Sequence, residues 1–171
     1  MSAKVYVETS VISYLTSRPS RDLVTTANQQ VTQEWWQEQR GDFALYVSQL
    51  VIQQASVGNL SAVEHRLQVL RELPLLQVTE EAVKLAERLV ARRAVPKKVV
   101  EDALHIAIAT VNGMDYLLTW NFKHIANAVM RSKIETVCRD MGYEPPVLAT
   151  RADREMTYVG RCDCGRSAPS A

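Results

Sequence analysis

The sequence predicts an α/β domain: a mainly parallel five-stranded sheet with helices on both faces. Short apolar runs alternate with longer stretches whose apolar residues recur at helical spacing, the pattern of strands joined by helical crossovers. Right-handed crossovers then distribute the helices over the two faces. Three of the runs end on a polar residue, Glu8 after 5–7, Ser48 after 43–47 and Asn121 after 116–120. The chain has 171 residues without internal repeat or interdomain linker, which fits one domain over 1–150 and a short tail.

Each element has a local cause. Val5, Tyr6 and Val7 form a short buried strand, and Thr9 or Ser10 is placed to cap a helix running to about Leu15. Residues 18–22 are dense in proline and charge and predict a turn. Val24, Ala27, Val31, Trp35 and Trp36 recur near the helical period, so 23–40 is helical up to Gly41. Strand 43–47 leads into helix 49–57, which Gly58 stops. Ser61 is placed to cap helix 62–73, Pro74 breaks it, and 75–78 is the third strand. Thr79 caps the next helix, whose first turn holds Glu80 and Glu81 against the positive end of the dipole. Pro96 separates it from helix 98–111, and Gly113 precedes the fourth strand, 116–120. A turn with a short helix near Ile125, a helix over 130–141 and a fifth strand, 147–149, complete the domain. The composition of 151–171, with Gly160, Gly165 and Pro169, predicts a disordered tail. Trp35, Trp36 and Tyr46 read as core or dimer contacts rather than as platforms for bases.

Bulk properties narrow the function. A net charge of +1 draws the protein toward neither nucleic acid nor membrane as a whole, so any polyanion contact must be local. No run approaches the roughly 20 apolar residues of a membrane span. The chain enters a strand at once, without the basic and apolar segments of a secretory leader, so a cytoplasmic location is expected. Three cysteines suit no disulfide framework, and Cys162-Asp163-Cys164 falls short of a zinc site. Six glycines form neither a phosphate loop nor a dinucleotide fingerprint, which argues against nucleotide-cofactor enzymes.

Parallel strands share one carboxyl edge, where open α/β sheets bind ligands. The helix feeding the fourth strand must start at that edge, which brings Glu101 and Asp102 beside Glu8, Ser48 and Asn121. Hard cations take oxygen ligands, often only one or two protein carboxylates completed by water and substrate phosphates. Glu8 and Asp102 meet that requirement for Mg²⁺ or Mn²⁺. Asn121 and Gln54 can add amide oxygens or orient coordinated water, without charge. Such an ion acidifies bound water and neutralises a phosphodiester. Other readings stand beside this one. Glu8 can cap a helix, Asp102 can answer the helix dipole, Gln54 can be a solvated helix residue, and Asn121 can close a turn. Thr9 and Ser48 can hydrogen-bond the carboxylates or cap helices, and His105 can be a hydrogen-bonded core histidine or a group behind the carboxylates. Arg18, Arg21, Arg92, Arg93, Lys97, Lys98 and Lys123 flank these positions along the chain and are candidates for RNA phosphates, or solvated charges.

Four segments carry a family resemblance. Val5-Tyr6-Val7-Glu8-Thr9-Ser10-Val11-Ile12-Ser13-Tyr14 resembles the opening motif of PIN domains. Ser48-Gln49-Leu50-Val51-Ile52-Gln53-Gln54 is similar to the second motif, and Glu101-Asp102-Ala103-Leu104-His105-Ile106-Ala107-Ile108-Ala109 to the third. Leu117-Leu118-Thr119-Trp120-Asn121-Phe122-Lys123-His124-Ile125 resembles the fourth, in the form found among VapC-like toxins of toxin–antitoxin systems. The resemblance spans residues 4–150 and keeps motif order. It implies a single PIN-like domain with a five-stranded parallel sheet and a Mg²⁺- or Mn²⁺-dependent ribonuclease, restrained by an antitoxin and commonly dimeric. It puts Glu8, Gln54, Asp102 and Asn121 at the catalytic positions, with Glu8 and Asp102 as metal ligands. The chain departs from the family's acidic quartet. Glu8 stands where Asp is usual, Gln54 where the family places Glu, and Asn121 where many members have Asp. The neutral side chain at 54 predicts weaker metal binding and slow turnover.

Three readings compete at this level. The first is a metal-dependent ribonuclease, the toxin of a toxin–antitoxin pair. The second is a catalytically weak or silent PIN-fold module that binds RNA or a protein partner. The third is an unrelated α/β domain with a role in oligomerisation, which requires Glu8 and Asp102 to lie far apart.

Overall fold

A computed structural model describes residues 2–150; the tail expected from 151 and its Cys162 and Cys164 lie outside the described residues. The chain begins with strand β1 (Ala3–Val7), helices α1 (Thr9–Thr16) and α2 (Leu23–Glu38) and strand β2 (Phe43–Ser48). Helices α3 (Gln49–Ala55) and α4 (Leu60–Leu70), strand β3 (Leu75–Leu76) and helices α5 (Glu80–Ala91) and α6 (Val100–Val111) follow. Strand β4 (Tyr116–Leu118), helix α7 (Ala128–Asp140) and strand β5 (Val147–Ala149) close the fold.

The five strands pair in the order β3-β2-β1-β4-β5, every pair parallel. Val5 stands opposite Leu45 on one side and Tyr116 on the other. Strand order therefore grows one way from β1 to β3 and the other way through β4 and β5, and the switch point lies between β1 and β4. α1 packs against α2, α3 and α4, whereas α5 packs against α6 and α7, giving one helical group for each direction of growth. A central strand covered on both faces is apolar where it is covered: Val5, Tyr6 and Val7 are fully buried, and only Lys4 near the start of β1 is exposed. α6 is buried nearly all round, through Ala103 and the run from His105 to Thr110.

Several boundaries move for identifiable reasons. Asn59, not Ser61, caps α4, its side-chain oxygen accepting from the N–H of Ser61 at 3.0 Å and of Ala62 at 3.4 Å. α3 ends at Ala55, and Gly58 takes a φ of +114° in the turn that follows. β3 is two residues long, not four, as suits an edge strand. A 3-10 turn, Lys97–Val99, precedes α6. The segment near Ile125 is a turn rather than a short helix, because the N–H groups of Ile125 and Ala126 both converge on the Asn121 carbonyl. Trp35 is 1 % exposed and packs on Phe43, so it belongs to the core; Trp36 and Leu15 are half-buried.

Candidate active site at the strand switch point

β1 delivers Glu8 to the switch point. The backbone N–H of Glu8 donates to Leu118 at 3.0 Å, carrying the β1–β4 ladder one residue past the strand. Glu8, rather than Thr9 or Ser10, is the cap of α1: its Oε2 accepts from the Ser10 N–H at 3.1 Å and from the Ser10 hydroxyl. The same oxygen accepts from the Thr119 hydroxyl at 2.8 Å. Capping and site placement are thus one arrangement, since all anchoring runs through Oε2. Oε1 has no hydrogen bond among the described residues and stands 3.9 Å from His105 Nε2. The Glu8 residue as a whole is 6 % exposed.

The first turn of α6 presents Asp102, half-buried, from the other side. Its Oδ1 accepts from Asn121 Nδ2 at 3.1 Å. Asn121 is fixed in turn: its side-chain oxygen accepts from the His124 N–H at 3.1 Å, and its own N–H donates to the Thr119 hydroxyl oxygen at 2.9 Å. Thr119 therefore receives from Asn121 and gives to Glu8, which brackets the two carboxylates through one buried hydroxyl. Burial lifts the Asp102 carboxyl above its ordinary range; the Asn121 bond and His124 oppose this, while Glu8 and Glu101 add to it.

Behind the carboxylates lies a hydrogen-bond chain whose direction is determined at one end. Gln54 Nε2 is 2.9 Å from Glu101 Oε2, an acceptor-only group, so the amide nitrogen faces Glu101. Gln54 Oε1 then accepts from the Thr9 hydroxyl and from His105 Nε2, the latter at 2.9 Å. His105 is 1 % exposed, and burial holds its imidazole below the ordinary range, against the opposing pull of Glu8 and Glu101. The neutral ring carries its proton on Nε2 and accepts at Nδ1 from the Tyr6 hydroxyl, 2.7 Å away. Tyr6 accepts from Ser48 at 2.7 Å, and burial raises the phenol well above its usual range. Ser48 accepts from the Val51 N–H at 3.4 Å as the cap of α3.

The structure brings Glu8, Asp102 and Asn121 together, with Gln54, Thr9, Ser48 and His105 behind them. It does not direct the Gln54 oxygen into the open site, because two donors already occupy it. The cationic residues divide. Lys97 and Lys98 lie just before α6, and Lys123 follows Asn121; all three are exposed and without an ion-pair partner among the described residues. Arg92 instead pairs with Asp140 at 3.2 Å, at the end of the helix that returns to the amino edge. Arg18 lines a separate hollow with Asn59 and His65. Arg21 and Arg93 are exposed, Arg93 with a φ of 57°. The bridging role of Thr119 was missed from sequence; its place two residues before Asn121 was the available signal.

Among the described residues, no group of three or more His, Cys, Asp or Glu converges to hold a metal ion. Two carboxylates, each hydrogen-bonded through one oxygen and without a hydrogen bond at the other among the described residues, fit a hard cation that keeps most of its shell as water and substrate oxygens.

No family model matches the sequence, and neither does any curated protein. Solved structures do. VapC20 of Mycobacterium tuberculosis, a sarcin-ricin loop cleaving toxin, superposes with a TM-score of 0.55 at 14 % identity, covering 72 % of this chain and 95 % of that one. VapBC2 of Rickettsia felis, solved with a DNA fragment from the promoter, gives 0.51 at 12 % identity, covering 86 % of this chain and 98 % of that one. The chain has the PIN-domain fold of VapC proteins.

Proposed function

We propose that this protein is a metal-dependent endoribonuclease, the toxin half of a toxin–antitoxin pair, which cuts unpaired or looped RNA slowly. The observation that carries the reading is the bracket of Thr119 and Asn121 holding Glu8 and Asp102 across the switch point. The fold likeness to a sarcin-ricin loop cleaving toxin supports the reaction, and the likeness to VapBC2 supports an antitoxin partner. A homodimer and a cytoplasmic location accompany this reading; no helix among the described residues is long and apolar enough to cross a membrane.

Mg²⁺ or Mn²⁺ would be held by the open oxygens of Glu8 and Asp102, supplying an activated water and neutralising charge at the phosphodiester. The chain's own side chains set the conditions. Ser10 and Thr119 fix Glu8 through one oxygen, so the other needs no reorganisation. Asn121 orients Asp102. His105 is neutral and leaves the negative charge of the carboxylates uncompensated. Lys97, Lys98 and Lys123, exposed before α6 and after Asn121, would hold phosphates on either side. Unpaired RNA suits an edge cleft that must reach the backbone of a flexible strand.

The test is cleavage of a labelled structured RNA by purified protein in Mn²⁺, with EDTA and with Asp102→Ala as controls. Cleavage lost in both controls is the expected outcome; cleavage that survives both removes this site from the reaction. The second reading, a silent module that binds RNA or a protein, is favoured by one observation: the side chain at 54 is an amide engaged on both ends. Wild type that never cleaves but binds would put that reading first.

A further inference from the structure

We infer that Phe122 is a stacking platform for an unpaired base of the strand that crosses the candidate site. This rests on the RNA reading above and adds the group that would grip the nucleotide beside the reacting phosphate. Asn121 reaches Asp102, and the very next side chain, Phe122, is 52 % exposed. The chain's other phenylalanine, Phe43, is 7 % exposed and packed in the core.

The exposed ring stands on a prepared base. Its centroid is 5.9 Å from that of Trp120, at 58° between planes. Trp120 stacks on Tyr14 at 5.8 Å and 30°, and its indole N–H donates to Thr32 at 2.8 Å. Phe122 is thus the open end of a tier of three rings whose far ring, Tyr14, belongs to α1 and whose middle ring, Trp120, is tied to α2. The backbone is pinned as well. Phe122 N–H donates to the Trp120 carbonyl at 3.0 Å, and Trp120 N–H donates at 2.9 Å to the same Ser10 hydroxyl that holds Glu8. A ring held this way loses little freedom when a ligand covers it.

The chemistry around the ring selects the occupant. Its neighbours in the turn are Asn121, Lys123 and His124, so an aromatic face and a cation are offered together. A docking face for a folded protein needs a contiguous apolar patch. Unpaired nucleic acid needs a π-face for a base and a cation for the phosphate beside it. The base would lie within one residue of Asn121, so stacking here would set which phosphate faces Asp102.

The experiment is binding of a short labelled single-stranded RNA of mixed sequence, followed by fluorescence anisotropy in EDTA, where cleavage plays no part. Phe122→Ala should weaken binding about 5- to 150-fold, the range for loss of one stacked base. Phe122→Leu should be equally weak, and Phe122→Trp should restore wild-type affinity. On an abasic sugar-phosphate strand, wild type and Phe122→Ala should bind alike. Equal affinity of wild type and Phe122→Ala for RNA overturns the inference, as does full binding by Phe122→Leu or no RNA binding by wild type. A change of mass in light scattering with RNA binding untouched overturns it in favour of a protein contact. Wild type that binds with this aromatic dependence but never cleaves keeps the inference and sinks the nuclease. Metal-dependent cleavage with RNA affinity insensitive to Phe122 does the reverse.

Discussion

Nε2 of His105 lies 2.9 Å from Oε1 of Gln54, so the amide oxygen at position 54 is committed to a buried histidine rather than to the open edge. The other end of the amide donates to Glu101. A glutamate at 54 would keep both donors to its oxygens but would meet Glu101 carboxylate to carboxylate.

Gln54→Glu is therefore expected to act in two directions. The added charge should tighten Mn²⁺ binding, and Asp102→Asn should weaken it, both by titration calorimetry. The metal-free Gln54→Glu protein should melt lower than wild type, and the added substitution Glu101→Gln should recover the loss. Unchanged affinity in Gln54→Glu alongside abolished binding in Asp102→Asn would place position 54 outside the ion's reach.

Thr119→Val keeps the shape of a side chain that is 1 % exposed and removes the hydroxyl joining Asn121 to Glu8. Leaving the Asn121 N–H and Glu8 short of partners should cost about 1–3 kcal/mol. Urea unfolding measures the cost, and Mn²⁺ titration should show weaker binding than Thr119→Ser. A Val variant that matches wild type in both would mean that the bracket is incidental.

His105 confers an acid sensitivity with a definite sign. Burial depresses its pKa in the folded protein, with Glu8 and Glu101 opposing. The unfolded chain therefore takes up a proton first as pH falls, and stability drops from about pH 7 toward about pH 5. Asp102, lifted by burial, acts in the opposite sense nearer the carboxylate range, so the comparison belongs above it. His105→Gln should be less stable but flatter across that window. Parallel urea midpoints in the two proteins would remove His105 as the source.

Light scattering at micromolar concentration should report twice the chain mass. Trp35 contributes to the core and not to this contact, leaving Trp36 and Leu15 among the half-buried residues available to it. A monomer at every concentration would end the dimer reading.

The sheet and the edge were legible because alternation of strand and helix leaves few choices: parallel strands must share an edge, and the helix before β4 must start there. That reasoning brought Glu8, Asp102 and Asn121 together across more than 90 residues of chain. What stayed hidden depends on individual side chains. Arg92 follows α5 in sequence toward Asp102, yet its long side chain finds Asp140. Gln54 occupies the expected helix, but only its neighbours show which atom faces the site. Asn59 outcompetes Ser61 as a cap by two residues, a choice local propensity leaves open. Phe122 follows a strand of apolar residues, and nothing in the run distinguishes the covered rings from the open one.

β1 precedes the other four strands in the sequence and is the middle strand of the sheet. Its partner across the switch point comes from the last third of the chain, and Glu8 waits 111 positions for the Thr119 hydroxyl. Contacts that distant form late, after the local helices. A nascent chain can pair β1 with β2 early, but it cannot close the bracket between Glu8 and Asp102 until the ribosome has passed Asn121. Truncated products that stop short of β4 are therefore born without the site, whatever else of the fold they retain.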